Sequence, residues 1–195
     1  MGFFSLILGY LLGSIPSGWL AGRWLKGIDL RELGSGSTGA TNVLRQVGKG
    51  PAMGVFLIDV GKGAAAVLLA RALGQGDWIQ VLAGLSALAG HIWPVWLNFK
   101  GGKAVATGFG MFLGLAWPVG LASFGVFLLT LWLFRIVSLS SVLAAVSLPL
   151  LMFRFSGIAS YILIALVAMG LVLWRHRSNL SRILEGSEPK IGQKD

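Results

Sequence analysis

Cysteine is absent from the 195-residue sequence, and histidine occurs only twice. Without thiols, the protein has no disulfide framework, no thiolate metal site and no cysteine nucleophile. Two histidines are too few for a histidine-rich metal site, and the seven acidic residues give little support to a catalytic pair of carboxylates. We therefore expect no cofactor and assign no residue as a metal ligand.

Charged residues are also scarce, at 12% of the chain against about 25% in a typical soluble domain, while hydrophobic residues make up 55%. This composition excludes an ordinary soluble globule and a disordered chain. The net charge of +9 would be compatible with nucleic-acid binding, but the charges lie between long apolar runs and favour a membrane protein with no nucleic-acid partner. Glycine is abundant, with 29 residues. We expect it to serve close helix packing within the spans and anion binding in the loops.

The apolar runs predict an all-α, polytopic integral membrane protein formed by a single domain, residues 1–195, with a polar tail at about 186–195. A helix needs about 20 apolar residues to cross a hydrocarbon core of about 30 Å. Proline should separate the fourth and fifth runs at Trp117-Pro118. Five or six spans are the alternative, because the fourth and sixth runs are short. We predict about seven spans, near residues 3–22, 52–70, 79–97, 104–116, 118–134, 138–153 and 158–174.

Basic residues are distributed unevenly between the two sides that seven spans create. With the N-terminus outside, thirteen of the 16 lysines and arginines fall in cytoplasmic segments, whereas only Arg71 and Arg154 fall outside. Short cytoplasmic loops carry this excess in membrane proteins. We predict an external N-terminus, a cytoplasmic C-terminus and a retained first span, since no basic segment precedes it.

The first of four polar segments, residues 31–50, alternates glycine with hydroxyl residues. Glycines allow backbone N–H groups to converge on an anion, and a helix beginning near Thr41 would direct its dipole at the same point. The segment has no Walker A pattern, because each Gly-Lys pair is followed by Gly or Ala. A flexible linker is the alternative. The predicted phosphate-binding residues are Gly34, Ser35, Gly36, Ser37, Thr38, Gly39, Thr41, Asn42 and Arg45.

The second polar segment is the pair Asp59 and Lys62 inside the second predicted span. Residues three apart share a helix face, so the two charges can pair. Charges within a membrane are costly and commonly mark a functional cavity. We predict a supporting ion pair. A purely structural pair, or a Lys62 side chain that extends to the interface, is the alternative.

The third segment, residues 90–110, places Gly101 and Gly102 between Lys100 and Lys103. This pattern predicts a second anion site, with Thr107 one turn beyond Lys103. His91 is interpreted as a packed supporting residue. As the alternative, both lysines are topology anchors that contact lipid headgroups.

The fourth segment is divided between two parts of the chain. Ser138 and Ser141 follow Arg135 between the fifth and sixth predicted spans. If the last helix continues, one of its faces carries the remaining candidates, which are His176, Asn179 and Arg182. As the alternative, Arg175, Arg177 and Arg182 form a cytoplasmic charge belt.

Three of these segments resemble the signature blocks of the bacterial acyl-phosphate:glycerol-3-phosphate acyltransferase family, PlsY. The matching stretches read GSGSTGATNVLR, GHIWPVWLNFKGGKAVATG and HRSNLSRILEGSE, and LIDVGKG is similar to the pattern between the first two. One departure is Ala104, which stands where the family usually has glycine. The resemblance implies acyl transfer from acyl phosphate to the sn-1 hydroxyl of glycerol 3-phosphate. The products would be lysophosphatidate and phosphate, formed on the cytoplasmic side of a bacterial inner membrane.

The expected mechanism is direct attack by the hydroxyl of glycerol 3-phosphate, without an acyl-enzyme, with the leaving phosphate accepting the proton. The His-x4-Asp acyltransferase motif is absent, and a Ser–His–Asp triad has little support because few acidic residues could orient either histidine. Candidate catalytic residues are Ser35, Ser37, Thr41, Lys103 and Ser138, and the other residues of the polar segments are candidates for substrate binding.

The expected partners are acyl phosphate, glycerol 3-phosphate, membrane lipids and an enzyme that forms and hands over acyl phosphate. A transporter of a phosphorylated metabolite is the alternative, although no internal repeat supports it. A membrane scaffold with basic cytoplasmic loops is a third possibility.

Overall fold

The computed structural model describes residues 1–193, and every regular element in that range is a helix. This confirms the predicted all-α class. Residues 194 and 195, the end of the predicted polar tail, lie outside the described residues. The helices are α1 (Gly2–Ser14), α2 (Ser17–Lys26), α3 (Ala40–Gln46), α4 (Lys49–Ala72), α5 (Asp77–Ile92), α6 (Val105–Leu115), α7 (Trp117–Phe134), α8 (Val137–Phe155), α9 (Ala159–Arg175) and α10 (Arg177–Leu184), with a short 3₁₀ turn at Val95–Leu97.

Five segments within residues 1–193 are long and apolar enough to cross a membrane, and α9 with α10 makes six if this pair, bent by 61°, is one span. The structure therefore supports five or six candidate spans, and the predicted count of seven is not confirmed. The shortfall lies in α6, which has 11 residues. At about 1.5 Å per residue it reaches about half of the ~30 Å core. The five segments are Gly2–Lys26, α4, Asp77–Leu97, α7 and α8.

The chain divides into two compact units, Met1–Leu115 and Ala116–Asp195. Their boundary lies between α6 and α7, where Pro118 occupies the first turn of α7. Proline is tolerated there because the first N–H groups of a helix have no partner within the helix. A break is present next to the predicted position, at Ala116, and Trp117 and Pro118 begin α7.

In the first unit, small residues bring helices into close contact, as expected from the glycine content. The closest pairs are α1 with α5 and α4 with α6. A Cβ atom at Gly13 would collide with the backbone of Ala87 on α5, and one at Gly110 would collide with the backbone of Val60 on α4. Such contacts are typical of helices packed in lipid, where small residues allow the backbones to approach.

The second unit packs α8 against both α7 and α9. The Ser123 hydroxyl on α7 donates a hydrogen bond of 3.1 Å to the Ala144 carbonyl on α8. Large apolar side chains on these two helices are exposed, among them Trp132 (77%), Leu150 (71%) and Phe153 (70%). A surface of this kind is expected to face lipid.

Candidate active site

Asn42 organises the first polar segment. Its side-chain nitrogen lies 3.0 Å from the Leu30 carbonyl, 3.1 Å from that of Leu33 and 2.9 Å from that of Ser37. Its oxygen accepts the Ser35 backbone N–H at 3.3 Å. Asn42 is only 1% exposed. The Asn42 amide therefore holds the loop together, and its role in substrate binding stays a prediction.

An apolar cluster anchors the same segment to α4. Leu30 and Val43 are fully buried, and they pack with Ala52 and Val55 of α4. Because burying apolar side chains is the main stabilising contribution available here, the cluster holds α3 and the preceding loop against a transmembrane helix. The loop is therefore packed, and the alternative of a flexible linker is not supported.

The prediction was that backbone N–H groups of this loop converge on an anion, but two of them bond within the protein. The Gly36 N–H donates to the Leu33 carbonyl, and the Gly39 N–H donates to the Ser37 hydroxyl. The predicted helix near Thr41 is present as α3, but it has only 7 residues. Ser37 and Thr38 are buried, whereas Ser35 and Arg45 are exposed. Ser35 and Arg45 are therefore the candidates among these four whose side chains solvent can reach.

A bidentate ion pair that sequence reasoning missed lies at the start of this segment. The Arg31 guanidinium contacts both carboxylate oxygens of Asp29, with Nη2–Oδ2 at 2.6 Å and Nε–Oδ1 at 3.0 Å. These hydrogen bonds hold the pKa of Asp29 well below its usual range and raise that of Arg31. Arg31 Nη1 also donates to the Leu97 carbonyl at 3.2 Å. The first and third polar segments are therefore in contact.

The predicted Asp59–Lys62 pair is present, with Nζ 2.8 Å from Oδ1 and both side chains buried. The same carboxylate oxygen accepts the Ser17 hydroxyl at 2.7 Å, and Lys62 donates to the Ile15 carbonyl at 3.1 Å. Pro16 breaks the first span between α1 and α2, and the Ile15 carbonyl at this break also accepts the Ser17 N–H at 3.0 Å. The ion pair therefore stabilises the break.

His91 lies between this ion pair and α6. Its Nδ1 atom is 3.7 Å from Asp59 Oδ1 and 3.1 Å from the Thr107 hydroxyl. Thr107 is 0% exposed. Its hydroxyl is therefore buried inside the unit, and its role as a substrate contact stays a prediction. The interpretation of His91 as a packed residue agrees with its 7% exposure.

The turn at Gly101 and Gly102 also differs from the predicted anion nest. The Gly101 N–H donates to the Ile92 carbonyl and the Gly102 N–H to the His91 carbonyl, both at 3.1 Å. A Cβ atom at either glycine would collide with His91. Glycine is thus required because the turn packs directly on the end of α5. Lys100 is exposed and Lys103 is half-buried, so the cations of this segment remain candidates for anion binding.

In the second unit, the two parts of the fourth polar segment converge on Glu188, which sequence reasoning did not select. The Glu188 carboxylate accepts hydrogen bonds from Ser138 (2.7 Å), Asn179 (2.6 Å) and Arg182 (2.7 Å). Burial alone would raise the pKa of Glu188, but these hydrogen bonds outweigh burial and lower it. The sequence signal that could have indicated Glu188 was its position at the end of the HRSNLSRILEGSE stretch.

The last helix does not continue as the one-face interpretation required, since it bends at His176. His176 Nδ1 lies 2.8 Å from the Val172 carbonyl, whereas Asn179 and Arg182 lie on α10. The Ser141 hydroxyl donates to the Val137 carbonyl of its own helix at 2.9 Å. In residues 1–193, no group of three or more His, Cys, Asp or Glu side chains is placed to hold a metal ion.

The chain matches the family model described as glycerol-3-phosphate acyltransferase over residues 3–186. It is 74% identical over 189 residues to the glycerol-3-phosphate acyltransferase of Parasynechococcus marenigrum (strain WH8102), which covers 97% of this chain and 89% of the relative. The enzyme of the same name from Prochlorococcus marinus (strain MIT 9313) is 70% identical over 192 residues, covering 97% and 94%.

Two solved structures have the same fold. Both are crystal structures of PlsY (YgiH), an integral membrane glycerol 3-phosphate acyltransferase. Its glycerol 3-phosphate form has a TM-score of 0.92 and 40% identity, covering 98% of this chain and 96% of that one. Its lysophosphatidic acid form has a TM-score of 0.90 and 39% identity, covering 98% and 95%.

Proposed function

Because this chain belongs to the glycerol-3-phosphate acyltransferase family, we propose that it takes its acyl group from acyl phosphate. The chain is a multi-pass membrane acyltransferase of phospholipid synthesis that acylates glycerol 3-phosphate to lysophosphatidate. We further propose the acyl donor, the roles of the site residues, the identity of the membrane and the side of it on which the reaction takes place.

The observation that carries the assignment of the site is the contact between the first and third polar segments. Arg31 joins them through the Leu97 carbonyl. In both segments several backbone N–H groups bond within the protein, among them those of Ser35, Gly101 and Gly102, so the segments present side chains from packed supports. Ser35, Arg45 and Lys100 are exposed there, and Lys103 is half-buried. Cations and a hydroxyl held in this way suit phosphate groups, because guanidinium and ammonium groups form charge-assisted hydrogen bonds with phosphate oxygens.

The reaction we propose is a single displacement at an activated carbonyl. The sn-1 hydroxyl oxygen attacks the acyl carbon, a tetrahedral oxyanion forms, and the bond from that carbon to the phosphate oxygen breaks. The departing phosphate takes the hydroxyl proton, so no side chain needs to act as a base. Ser35 and Lys103 would stabilise the developing negative charge, and Arg45 and Lys103 would bind the phosphate group of glycerol 3-phosphate and orient it.

In the second unit, we assign His176, Asn179 and Arg182 to substrate binding. The Glu188 carboxylate fixes the last two, so their positions do not depend on the substrate. We place the reaction on the cytoplasmic side of a bacterial inner membrane, with the N-terminus outside, because the basic residues favour that sidedness. The enzyme that forms acyl phosphate is the proposed partner for substrate hand-off.

The test is a reconstitution with defined substrates. The purified protein in lipid nanodiscs, given palmitoyl phosphate and glycerol 3-phosphate, should form lysophosphatidate and release one phosphate per acyl chain. Arg45→Ala and Lys103→Ala should each lower kcat/KM by about a hundredfold. Lys26→Ala, which removes an exposed cation from the end of α2, is the control and should retain activity.

Two outcomes would contradict the proposal. Unchanged kinetics in Arg45→Ala or Lys103→Ala would remove that residue from the site. No product from palmitoyl phosphate, together with uptake of glycerol 3-phosphate into liposomes, would favour a transporter.

A further inference from the structure

A buried polar cluster lies where α2, α4, α5 and α6 meet, and the proposed reaction does not use it. We call it the Asp59 cluster. Its members are Asp59 (1% exposed), Lys62 (5%), Ser17 (7%), His91 (7%) and Thr107 (0%). A buried ion pair is by itself weak evidence for stability, because well-packed apolar residues often serve as well. The cluster shares His91 and Thr107 with the third polar segment, which points to a role in positioning that segment.

We propose that the Asp59 cluster positions the turn that carries Lys103, so that Asp59, Lys62 and His91 set the affinity for glycerol 3-phosphate without touching it. The inference rests on the proposed function, because it takes Lys103 as a ligand of the glycerol 3-phosphate phosphate group.

The Asp59 carboxylate is held from two sides. Lys62 binds it from one turn away on α4, and Ser17 binds it from the start of α2. Lys62 is in turn fixed by the Ile15 carbonyl at the break between α1 and α2. The carboxylate therefore presents a fixed negative group to His91 Nδ1, at 3.7 Å.

His91 holds the chain on both sides of Lys103. Before Lys103, the His91 carbonyl accepts the Gly102 N–H at 3.1 Å, and its ring lies so close that a Cβ atom at Gly102 would collide with Nε2. After Lys103, the ring is bonded to the Thr107 hydroxyl at 3.1 Å. A change in the ring position therefore moves the Lys103 backbone from both directions. Displacement of a binding group by about 1 Å can cost a factor of about a hundred.

The main experiment removes the charges while keeping the fold. Asp59→Asn combined with Lys62→Met leaves no unpaired buried charge, so folding should survive. We expect the KM for glycerol 3-phosphate to rise roughly tenfold, with smaller changes in kcat and in the KM for acyl phosphate.

A second pair of variants tests the ring itself. His91→Ala removes the bond to Thr107 and should raise the same KM by a similar factor. His91→Asn retains an amide near the position of Nδ1 and should recover part of the loss.

The matched control is a polar contact between the same helices at the other end of α4. Gln80 on α5 is 6% exposed, accepts Arg71 Nε at 3.1 Å and donates to the Gln75 carbonyl at 2.8 Å. Gln80→Leu should lower the melting temperature and leave the KM for glycerol 3-phosphate unchanged.

The outcomes separate this inference from the proposed function. If Lys103→Ala raises the KM but the double variant and His91→Ala leave it within about twofold, positioning by the Asp59 cluster is wrong. An equal rise in Gln80→Leu would show a merely structural effect and would also overturn it. If Lys103→Ala leaves the KM unchanged, the proposed role of Lys103 fails, and the inference fails with it.

Discussion

At the scale of single residues, Ala104 is one of four described non-glycine residues whose backbone has a positive φ. Its backbone has φ of 59°, in the left-handed region, and it directly precedes α6. An L-residue with a Cβ atom is disfavoured there by about 1–2 kcal/mol, whereas glycine is not. The usual glycine of the family signature therefore has a physical reason, and this chain tolerates alanine at some cost.

Replacing Ala104 by glycine tests this reading. The relief of strain should offset the lost methyl contacts and the greater freedom of the unfolded chain, each below about 1 kcal/mol. We expect Ala104→Gly to leave the free energy of unfolding unchanged or to raise it by up to about 1 kcal/mol. Ala106→Gly, inside the first turn of α6, should lower it by about 1 kcal/mol. Thermal unfolding in detergent measures both. Equal destabilisation of the two variants would show that the left-handed backbone imposes no strain.

Several candidate site residues are buried, and the structure shows which groups of the chain they bind. Asn42, Thr107, Gly101 and Gly102 have the residue types of a phosphate site, but their polar groups bind other parts of the chain. A buried donor or acceptor must find a partner, and here the nearest partners are protein carbonyls and a histidine ring. These residues shape the supports from which the exposed cations act.

At the scale of elements, glycine spacing decides how α4 meets α6. A Cβ atom at Gly63 on α4 would collide with the Thr107 carbonyl on α6. Two residues earlier on α4, Gly61 has nothing within 4 Å of its Cβ position. The two glycines therefore differ in function, although both lie in the same apolar helix.

This difference gives a paired prediction. Gly63→Ala should force α4 and α6 apart and lower the free energy of unfolding by about 1–3 kcal/mol. Gly61→Ala should be neutral or stabilising by up to about 1 kcal/mol, because alanine favours the helix and meets no obstacle. Melting temperatures of the two variants in the same detergent provide the measurement. A loss of stability in Gly61→Ala as large as that in Gly63→Ala would contradict the packing argument.

At the scale of the whole molecule, the topology depends on whether α6 crosses the membrane despite its 11 residues. If α6 did not cross, every later segment would change sides. Arg135, Arg175 and Arg177 would then lie outside, against the usual excess of basic residues in the cytoplasm. The charge distribution therefore favours a crossing by α6, extended by the segments that flank it.

Because the chain lacks cysteine, single cysteines can report this topology without background. In intact spheroplasts, an impermeant maleimide should label Gly76→Cys and Ala159→Cys. It should reach Gly50→Cys and Leu184→Cys only after permeabilisation. Labelling of Leu184→Cys with protection of Ala159→Cys would show that α6 does not cross.

The sequence by itself determined the helical membrane class, the break before Pro118 and the candidate cations, because each depends on local composition. Apolar length decides whether a helix can span, proline removes an N–H wherever it stands, and a lysine or arginine carries its charge in any fold.

Only the tertiary structure decided which polar groups are free to bind. Glu188 gained its role from Ser138, which is 50 residues away in the chain and approaches it through folding, and the N–H groups of the Gly101–Gly102 turn are bonded to the end of α5. Hydrogen-bond partners and burial depend on residues distant in the chain, so no local pattern could have assigned them.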